Sequence, residues 1–259
     1  MLNVIKTLLL QGWRIILNYF TWILKAAKKG KEIPMEEKYA KLRKLGLHVM
    51  KSLNGDITVV GKENIPEGTC CFFSNHINLS DPLIYIVSIE KPMTFVCKKE
   101  IQQIPVINKC VLAIEGEYID RENLKASLRT MMKVQADLES GRKNWLIFPE
   151  GTRNRDDHRL MLPFHHGTFR SPMKAGVPLV PCCLYGTQRL ISKKQNFKRY
   201  PIYLEIGKPM MPEEYKDLET VEVARIMQSR IQAMISYHAR QHDKKELVKL
   251  LGDKYKENY

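Results

Sequence analysis

The sequence lacks several motifs that would identify common enzyme classes. Its 259 residues contain no G-x-S-x-G nucleophile elbow, which argues against a lipid hydrolase that uses a serine of that type. They also contain no P-loop and no dinucleotide-binding fingerprint. No internal repeat and no low-complexity linker divides the chain, so it reads as one large α/β domain or as a domain with an appendage.

Cysteine is scarce and shows no ligand spacing. The six cysteines are Cys70, Cys71, Cys97, Cys110, Cys182 and Cys183. No two of them form a C-x-x-C motif, so the sequence indicates neither a zinc site nor a redox pair, and no metal is expected. The two adjacent pairs lie in apolar runs, where neighbouring side chains point to opposite faces of a sheet. We interpret all six as reduced core residues of a cytosol-facing protein.

Acidic residues are fewer than basic ones. The chain carries 42 Lys and Arg against 28 Asp and Glu, a formal charge of +14. Residues 1–53 hold 11 of the basic and 3 of the acidic residues, a net charge of +8 for that segment. Such an excess favours an anionic partner, which could be nucleic acid, acidic lipid or an acidic protein.

Residues 1–27 predict an amphipathic helix with one narrow polar stripe. The stripe consists of Asn3, Thr7, Gln11, Arg14, Asn18, Thr21 and Lys25, at steps of three and four. The helix would be roughly 40 Å long, enough to span a bilayer. Spanning would put Arg14 near mid-membrane at a cost of very roughly 3 kcal/mol. We therefore expect it to lie in the membrane interface with the stripe, Lys25, Lys28 and Lys29 facing headgroups. Spanning or packing against a partner is the alternative.

A second basic helix is predicted from Met35 to Leu53, after the break at Gly30 and Pro34. It could present only a solvated charged face, or it could be the second limb of a membrane-docking hairpin. A cleaved signal peptide is not expected, because Ala26 and Ala27 are followed by lysines. Residues 1–55 are thus interpreted as an N-terminal two-helix membrane-docking arm.

From residue 56 to residue 259, strand-like and helix-like segments alternate. Strands are expected at 57–60, 69–74, 93–97, 118–119, 144–148, 177–184 and 202–206, and helices at about 82–90, 103–113, 122–139, 167–175 and 219–241. The apolar face of the helix at 122–139 is assigned to Leu124, Leu128, Met131, Met132 and Leu138. The alternation predicts an α/β fold with a mostly parallel sheet flanked by helices.

The segment N-H-I-N-L-S-D at 75–81 follows a buried strand, at the edge where open α/β sheets bind ligands. His76 and Asp81 there have the layout of a general base and the carboxylate that orients it. The other interpretation is that Asp81 only caps the helix beginning near Pro82 and that His76 is a polar loop residue.

Three further segments end or follow apolar runs: G-E-Y-I-D-R at 116–121, F-P-E-G-T-R at 148–153 and V-P-L-V-P at 177–181. Singly, each has an ordinary structural explanation, such as a helix cap at Asp120 or an ion pair between Glu150 and Arg153. Together and in this order, the four segments resemble the lysophospholipid acyltransferase family, most closely the bacterial 1-acyl-sn-glycerol-3-phosphate acyltransferases. The resemblance covers residues of about 60 to 210.

The resemblance implies acyl transfer from a thioester, with acyl-ACP or acyl-CoA as co-substrate, to the 2-hydroxyl of lysophosphatidic acid, without a covalent acyl-enzyme or a cofactor. It implies that His76 is the general base and that Asp81 orients its ring. Arg121 and Arg153 would bind the acceptor's phosphate. The remaining implied roles are orientation of the glycerol or of Arg153 by Glu150, close backbone approach at Gly151 and Thr152, a phosphate contact by Lys98, and shaping of the pocket by residues 177–181.

Three departures from the family pattern concern Tyr118, Asn154 and the pair His165-His166, which stands where many relatives have two lysines. Two largely neutral histidines would weaken the positive field at the acceptor's headgroup, and a minor alternative makes one of them the base. Another lysophospholipid or glycerol-3-phosphate is the alternative acceptor. A basic membrane-binding or nucleic-acid-binding protein is the non-enzyme alternative, although no nucleic acid is expected as partner. The expected location is the cytoplasmic face of the cell membrane, with monotopic or peripheral association.

Overall fold

The computed structural model describes residues 2–155, 160–190 and 199–242. Its α-helices are α1 (Leu2–Asn18), α2 (Leu24–Lys28), α3 (Met35–Ser52), α4 (Asp81–Ser88), α5 (Pro105–Ala113), α6 (Leu124–Glu139), α7 (Arg170–Lys174), α8 (Pro212–Tyr215) and α9 (Thr220–His242). Its strands are β1 (Gly55–Val60), β2 (Cys71–Ser74), β3 (Met93–Lys98), β4 (Glu117–Ile119), β5 (Asn144–Ile147), β6 (Leu179–Tyr185) and β7 (Tyr200–Ile206). Each predicted strand and helix is present, with ends shifted by a few residues.

The strands form one seven-stranded sheet in the order β1-β7-β6-β2-β5-β3-β4. Strands β6, β2, β5, β3 and β4 run parallel to one another, whereas β7 is antiparallel to β6 and parallel to β1. The predicted mostly parallel sheet flanked by helices is therefore confirmed. Every residue of β2, β5 and β6 is buried, as expected for central strands covered on both faces.

Two apolar cores lie on the two faces of the sheet. One contains Tyr39 and Leu42 of α3 and Ile84 and Tyr85 of α4, packed on one set of strand side chains that includes Phe72. The other contains residues of α6, α7 and α9, packed on the alternate set of strand side chains. The N-terminal helices and α6 are consequently on opposite sides of the sheet.

The carboxyl ends of β2 and β5 lie side by side, because Phe73 pairs in register with Ile147. The chain leaves β2 toward His76 and leaves β5 toward Glu150, so both loops emerge at one edge of the sheet. The ends of β3 and β4 follow at the same edge, since Lys98 pairs with Ile119. Parallel pairing is thus what brings three of the four predicted segments together.

The fourth segment, at 177–181, does not join them. Leu179 pairs with Cys71 at the beginning of β2, and the carbonyl of Pro178 accepts a hydrogen bond from the Cys71 amide. Because β6 is parallel to β2, the segment begins at the amino edge of the sheet, and only its last residue, Pro181, reaches the level of Phe73 near the carboxyl edge. Val177, Leu179 and Val180 are buried in the apolar cores, and the expected role of the segment in shaping the pocket stays a prediction.

The N-terminal arm forms two antiparallel helical limbs. Helix α1 continues through a π-helical turn, Tyr19–Ile23, into α2, which packs on α5, while α1 packs on α3. The described residues contain no helix with enough length and apolar character to cross a membrane.

Part of the polar stripe of the arm faces α3, so the expectation that the stripe faces headgroups is wrong for that part, whereas Thr21 and Lys25 are exposed. Arg14 hydrogen-bonds through Nη1 to Nδ1 of His48 at 2.6 Å, and Thr7 is buried. Apolar side chains lie on the outside of the arm. These exposed side chains are Leu9, Leu10, Trp13, Ile16, Leu17 and Phe20.

A buried ion pair joins the arm to the rest of the domain. The Lys38 ammonium donates to Glu115 Oε1 at 2.5 Å and to the carbonyl of Gly30 at 2.5 Å, and Lys38 is almost fully buried. Burial alone would raise the pKa of Glu115, but the bond from Lys38 and the charges of Lys143 and Arg142 outweigh it and lower that pKa. Removing one partner of a buried ion pair leaves the other charge buried and unpaired, which strongly destabilises the fold. The pair therefore holds α3 against the turn that precedes β4.

Helix α6 buries only part of its predicted apolar face, namely Leu138 and, partly, Met131. Thr130, Val134 and Leu138 face the sheet and are buried. Leu124, Leu128 and Met132 are exposed instead. The error arises because α6 carries apolar residues on two faces, and the spacing pattern alone does not say which face meets the sheet.

Candidate active site

His76 and Asp81 are in direct contact at the carboxyl edge of the sheet. Nδ1 of His76 lies 2.8 Å from Oδ2 of Asp81, which is fully buried. Since a carboxylate accepts hydrogen bonds, Nδ1 carries the proton, and Nε2 is left with its lone pair. This geometry favours the base-and-orienter interpretation over the capping one, because the Ser80 and Asp81 region makes no side-chain cap of α4.

Asp81 also holds the loop that carries the histidine. Its Oδ2 accepts hydrogen bonds from the backbone amides of Ile77 at 2.6 Å and of Asn78 at 2.8 Å. The carboxylate therefore closes the turn 76–81 on itself and fixes the direction of the ring. Sequence spacing of five residues is what makes such a closed turn possible.

The ring of His76 is also held from one side. It stacks on Phe148, with ring centroids 4.2 Å apart and planes 22° apart. Phe148 in turn makes an edge contact with Tyr85 of α4. Within the described part of the chain, no hydrogen bond is made to Nε2 of His76, so this is the ring nitrogen that is open to a substrate.

Glu150 connects three loops from a buried position. Its Oε1 accepts the His76 amide at 2.7 Å and its Oε2 accepts the Leu162 amide at 2.8 Å, and only 2% of the residue is exposed. Burial raises the pKa of Glu150 to about 7, an effect that the two amide hydrogen bonds oppose and that the charge of Asp81 reinforces. Each oxygen accepts a backbone amide, so Glu150 positions the His76 loop, and its expected roles on the glycerol or on Arg153 stay predictions.

Gly151 lies between an arginine and a histidine from two other segments. Its φ is +71°, and a Cβ built there would stand 2.8 Å from the ring of His165 and 3.7 Å from Cζ of Arg121. Only glycine combines this left-handed backbone with so little space. The imidazole of His165 and the guanidinium of Arg121 therefore both approach one backbone position, directly after Glu150.

The other predicted site residues lie around this group. The Asn154 amide donates to the His76 carbonyl at 2.7 Å, which brings the exposed Thr152 and the partly buried Arg153 to the same edge. Lys98, at the end of β3, pairs with Glu100 at 3.0 Å and is half exposed. Partial burial lowers the pKa of Arg121, and the charge of Glu100 opposes that change. The structure thus gathers an oriented imidazole and several cations at one edge.

The sequence profile of the family described as Acyltransferase matches residues 56–185. The chain belongs to the acyltransferase family.

Proteins named 1-acyl-sn-glycerol-3-phosphate acyltransferase are similar to this acyltransferase. The Saccharomyces cerevisiae protein is 27% identical over 80% of this chain and 75% of its own length. The Borreliella burgdorferi protein is 32% identical over 54% of this chain and 56% of its own length, and the Escherichia coli K12 protein is 28% identical over 65% and 68%. Several curated relatives, including the one from Borreliella burgdorferi, are thus matched over less than two thirds of their length.

The crystal structure of the 1-acyl-sn-glycerophosphate (LPA) acyltransferase PlsC from Thermotoga maritima has the same fold. It superimposes with a TM-score of 0.69 at 23% identity, over 91% of this chain and 97% of that one. At this identity the likeness concerns the fold. It extends over most of the acyltransferase, including regions outside the family profile.

Two features of the site in this acyltransferase were not found from sequence. Nothing in the sequence, apart from the motif at 148–153 itself, indicated that Phe148 stacks on His76. The approach of His165 to Gly151 had a partial signal in the sequence, because both residues belong to segments discussed above. In the structure the two segments are joined by the His165 amide, which donates to the Pro149 carbonyl at 2.8 Å. His166 points elsewhere, with Nδ1 3.3 Å from Oγ1 of Thr220.

The raised pKa of Glu150 predicts a pH-dependent contribution to stability. Its folded pKa of about 7 lies above its ordinary value of 4.5, so the folded state holds the proton more tightly, and this contribution is lost as pH rises between those values. Relative to Glu150→Gln, the free energy of unfolding of the wild type should therefore fall by about 3 kcal/mol between pH 4.5 and pH 8. Urea unfolding at several pH values measures the difference. A difference independent of pH would contradict the assigned burial of this carboxyl group.

Proposed function

We propose that this acyltransferase transfers a fatty acyl group from a thioester, carried by acyl carrier protein or coenzyme A, to the free 2-hydroxyl of 1-acylglycerol-3-phosphate, giving phosphatidic acid. The observation that carries the proposal is the imidazole of His76, held by buried Asp81 with Nε2 open beside a group of cations. The names of the relatives support lysophosphatidic acid as acceptor.

The chemistry is a direct transfer. Nε2 of His76 takes the proton of the 2-hydroxyl as that oxygen attacks the thioester carbonyl carbon, forming a tetrahedral intermediate. Asp81, which accepts from Nδ1, stabilises the imidazolium that forms. Collapse of the intermediate breaks the carbon–sulfur bond, and the imidazolium returns its proton to the leaving thiolate. The enzyme ends in its starting protonation state.

The cations beside His76 suit the acceptor's phosphate. Guanidinium groups of Arg121 and Arg153 make paired hydrogen bonds to phosphate oxygens, and Lys98 adds a more distant positive charge. The imidazole of His165 reaches the same place as Arg121, at Gly151. It can act as a hydrogen-bond donor where relatives carry lysine.

The apolar outer face of the arm suits a membrane surface. Its exposed side chains include Trp13 and Phe20, and basic residues of α2 and α3 flank it. An enzyme docked in this way draws its acceptor sideways from the leaflet, which avoids exposing an acyl chain to water at about 0.8 kcal/mol per CH₂. The expected side is the cytoplasmic one, where the thioester donors are made.

Removing the imidazole tests the assignment of the base. His76→Ala should lower kcat by about a thousandfold, because the group that takes the hydroxyl proton is lost, while the affinity for lysophosphatidic acid changes little. His166→Ala is the matched control, since that imidazole is directed at Thr220, and it should retain its rate. Product formation followed by mass spectrometry measures both. A His76→Ala enzyme with unchanged turnover would rule out the base.

Removing a guanidinium tests the phosphate site. Arg153→Ala should raise the KM for lysophosphatidic acid by about tenfold or more with a smaller effect on kcat, since a charge-assisted bond to the acceptor is lost. Monoacylglycerol, which has no phosphate, should be used equally by both enzymes. Arg170→Ala on α7 serves as the control for loss of an exposed arginine. An equal rise in KM for both acceptors would show that Arg153 does not bind the phosphate.

Polar substitution of the arm tests membrane docking. The triple variant Leu9→Gln, Trp13→Gln and Phe20→Gln removes exposed apolar surface without touching the core. It should lose most of its flotation with phosphatidylglycerol-containing vesicles. The control is Val221→Gln with Tyr237→Gln, two comparably exposed residues of α9. If the triple variant floats like the wild type, the anchor lies elsewhere.

A further inference from the structure

The outward face of α6 is an exposed apolar column with nothing covering it in the described part of the chain. Leu124, Leu128 and Met132 are 73%, 49% and 67% exposed. They recur every four residues, so they form one line of roughly 12 Å along the helix. The buried side of the same helix is made by other residues, so this column is not needed to attach α6 to the sheet.

A basic column runs beside the apolar one. Lys125, Arg129 and Lys133 each follow one residue after an apolar member, so they lie on the adjacent strip of the helix. Lys133 pairs with Glu117 at about 3.0 Å. Among the described residues, no ion pair is made by Lys125 or by Arg129. Two cations are therefore available next to three exposed apolar side chains.

We propose that this surface, Leu124, Leu128 and Met132 with Lys125 and Arg129, is the docking site for an acidic carrier protein that bears the acyl thioester. The inference rests on the proposed function, because it names the partner that would deliver the donor. An apolar centre with a charged border is the usual composition of a transient protein interface. A carboxylate-rich helix complements the basic column and is steered to it electrostatically.

The position of α6 fits delivery to the site. The helix begins three residues after Arg121, at the edge of the sheet that holds His76, and it runs from there toward the opposite edge. A carrier seated on α6 would stand beside the phosphate-binding cations. Its flexible prosthetic arm would then reach over the edge to Nε2 of His76 while the acceptor enters from the membrane.

Two other occupants fit the surface less well. A bilayer that receives Trp13 and Phe20 of the arm lies on the other side of the sheet, because the arm packs with α3 and α5 and α6 packs on the opposite face. A second copy of this chain would bring one basic column against another, and like charges oppose such a contact. An acidic protein avoids both difficulties.

The test uses the full chain and a palmitoyl-loaded bacterial acyl carrier protein. Lys125→Glu with Arg129→Glu, and separately Leu128→Ser, should each weaken carrier binding in fluorescence anisotropy by about tenfold or more. The KM for acyl carrier protein should rise in parallel, while the KM values for palmitoyl-CoA and for lysophosphatidic acid stay the same. Lys125→Arg with Arg129→Lys should bind like the wild type, and binding should weaken with added salt.

The matched control is Val221→Ser with Arg225→Glu, an exposed apolar residue and an exposed basic residue one turn apart on α9. Unchanged carrier affinity in the α6 variants, or an equal loss in the control, overturns the proposal. So does loss of vesicle flotation by the α6 charge reversal with carrier affinity intact, since the surface would then bind membrane. Absence of any carrier binding to the wild type also overturns it.

These readouts separate this inference from the proposed function. If lysophosphatidic acid is not acylated from any donor, the proposed function fails whatever the anisotropy shows. If it is acylated from palmitoyl-CoA and the carrier does not bind α6, only the docking surface is wrong. All substitutions are at exposed positions, so thermal unfolding should be unchanged and a folding defect would be recognised directly.

Discussion

The contact between the buried carboxylate of Asp81 and the ring of His76 is the interaction around which this edge of the molecule is arranged. One oxygen of Asp81 accepts from the ring and from two backbone amides of the loop 76–81, so a single group sets the ring's direction, its tautomer and the shape of the turn. A carboxylate buried in this way needs such partners to offset its desolvation. Glu150 then attaches the same loop to the one after β5 through the His76 amide. Both acids thus accept hydrogen bonds from backbone amides, which link the loops of the site to one another.

Two exposed apolar surfaces of the molecule, on the arm and on α6, lie on opposite sides of the sheet. The arm covers one face of the sheet through α3 and α5. Arg14 of its polar stripe contacts His48, and apolar side chains of the arm point outward. Helix α6 covers the other face and exposes an apolar column with two available cations. The proposed acceptor would thus approach from one side and the proposed donor from the other. They would meet at the edge where the ends of β2 and β5 place the imidazole.

His165 approaches the proposed phosphate site at Gly151, and His166 follows it in the chain. A lysine would place a compact ammonium charge there, whereas the imidazole near Arg121 offers a ring nitrogen with a fixed direction for hydrogen bonding. Only His165 approaches Gly151, and His166 is turned to Thr220, so the pair is not equivalent. Acceptor preference is therefore expected to depend on one of the two positions.

The sequence by itself determined the elements and the sheet type, because these follow from local patterns: apolar runs for buried strands and three-and-four spacing for helices. Of the four polar segments that it predicted at strand ends, three meet at the carboxyl edge of the sheet. The sequence did not determine which face of a helix meets the sheet. Leu124, Leu128 and Met132 of α6 are exposed rather than buried, and Thr7 and Arg14 of the N-terminal stripe face protein rather than headgroups. It also did not reveal that the segment at 177–181 begins at the amino edge of the sheet, or that both oxygens of Glu150 bind backbone amides. Only the tertiary structure decides these points, since they depend on contacts between segments distant in sequence, and a periodic pattern carries no information about which neighbour satisfies it.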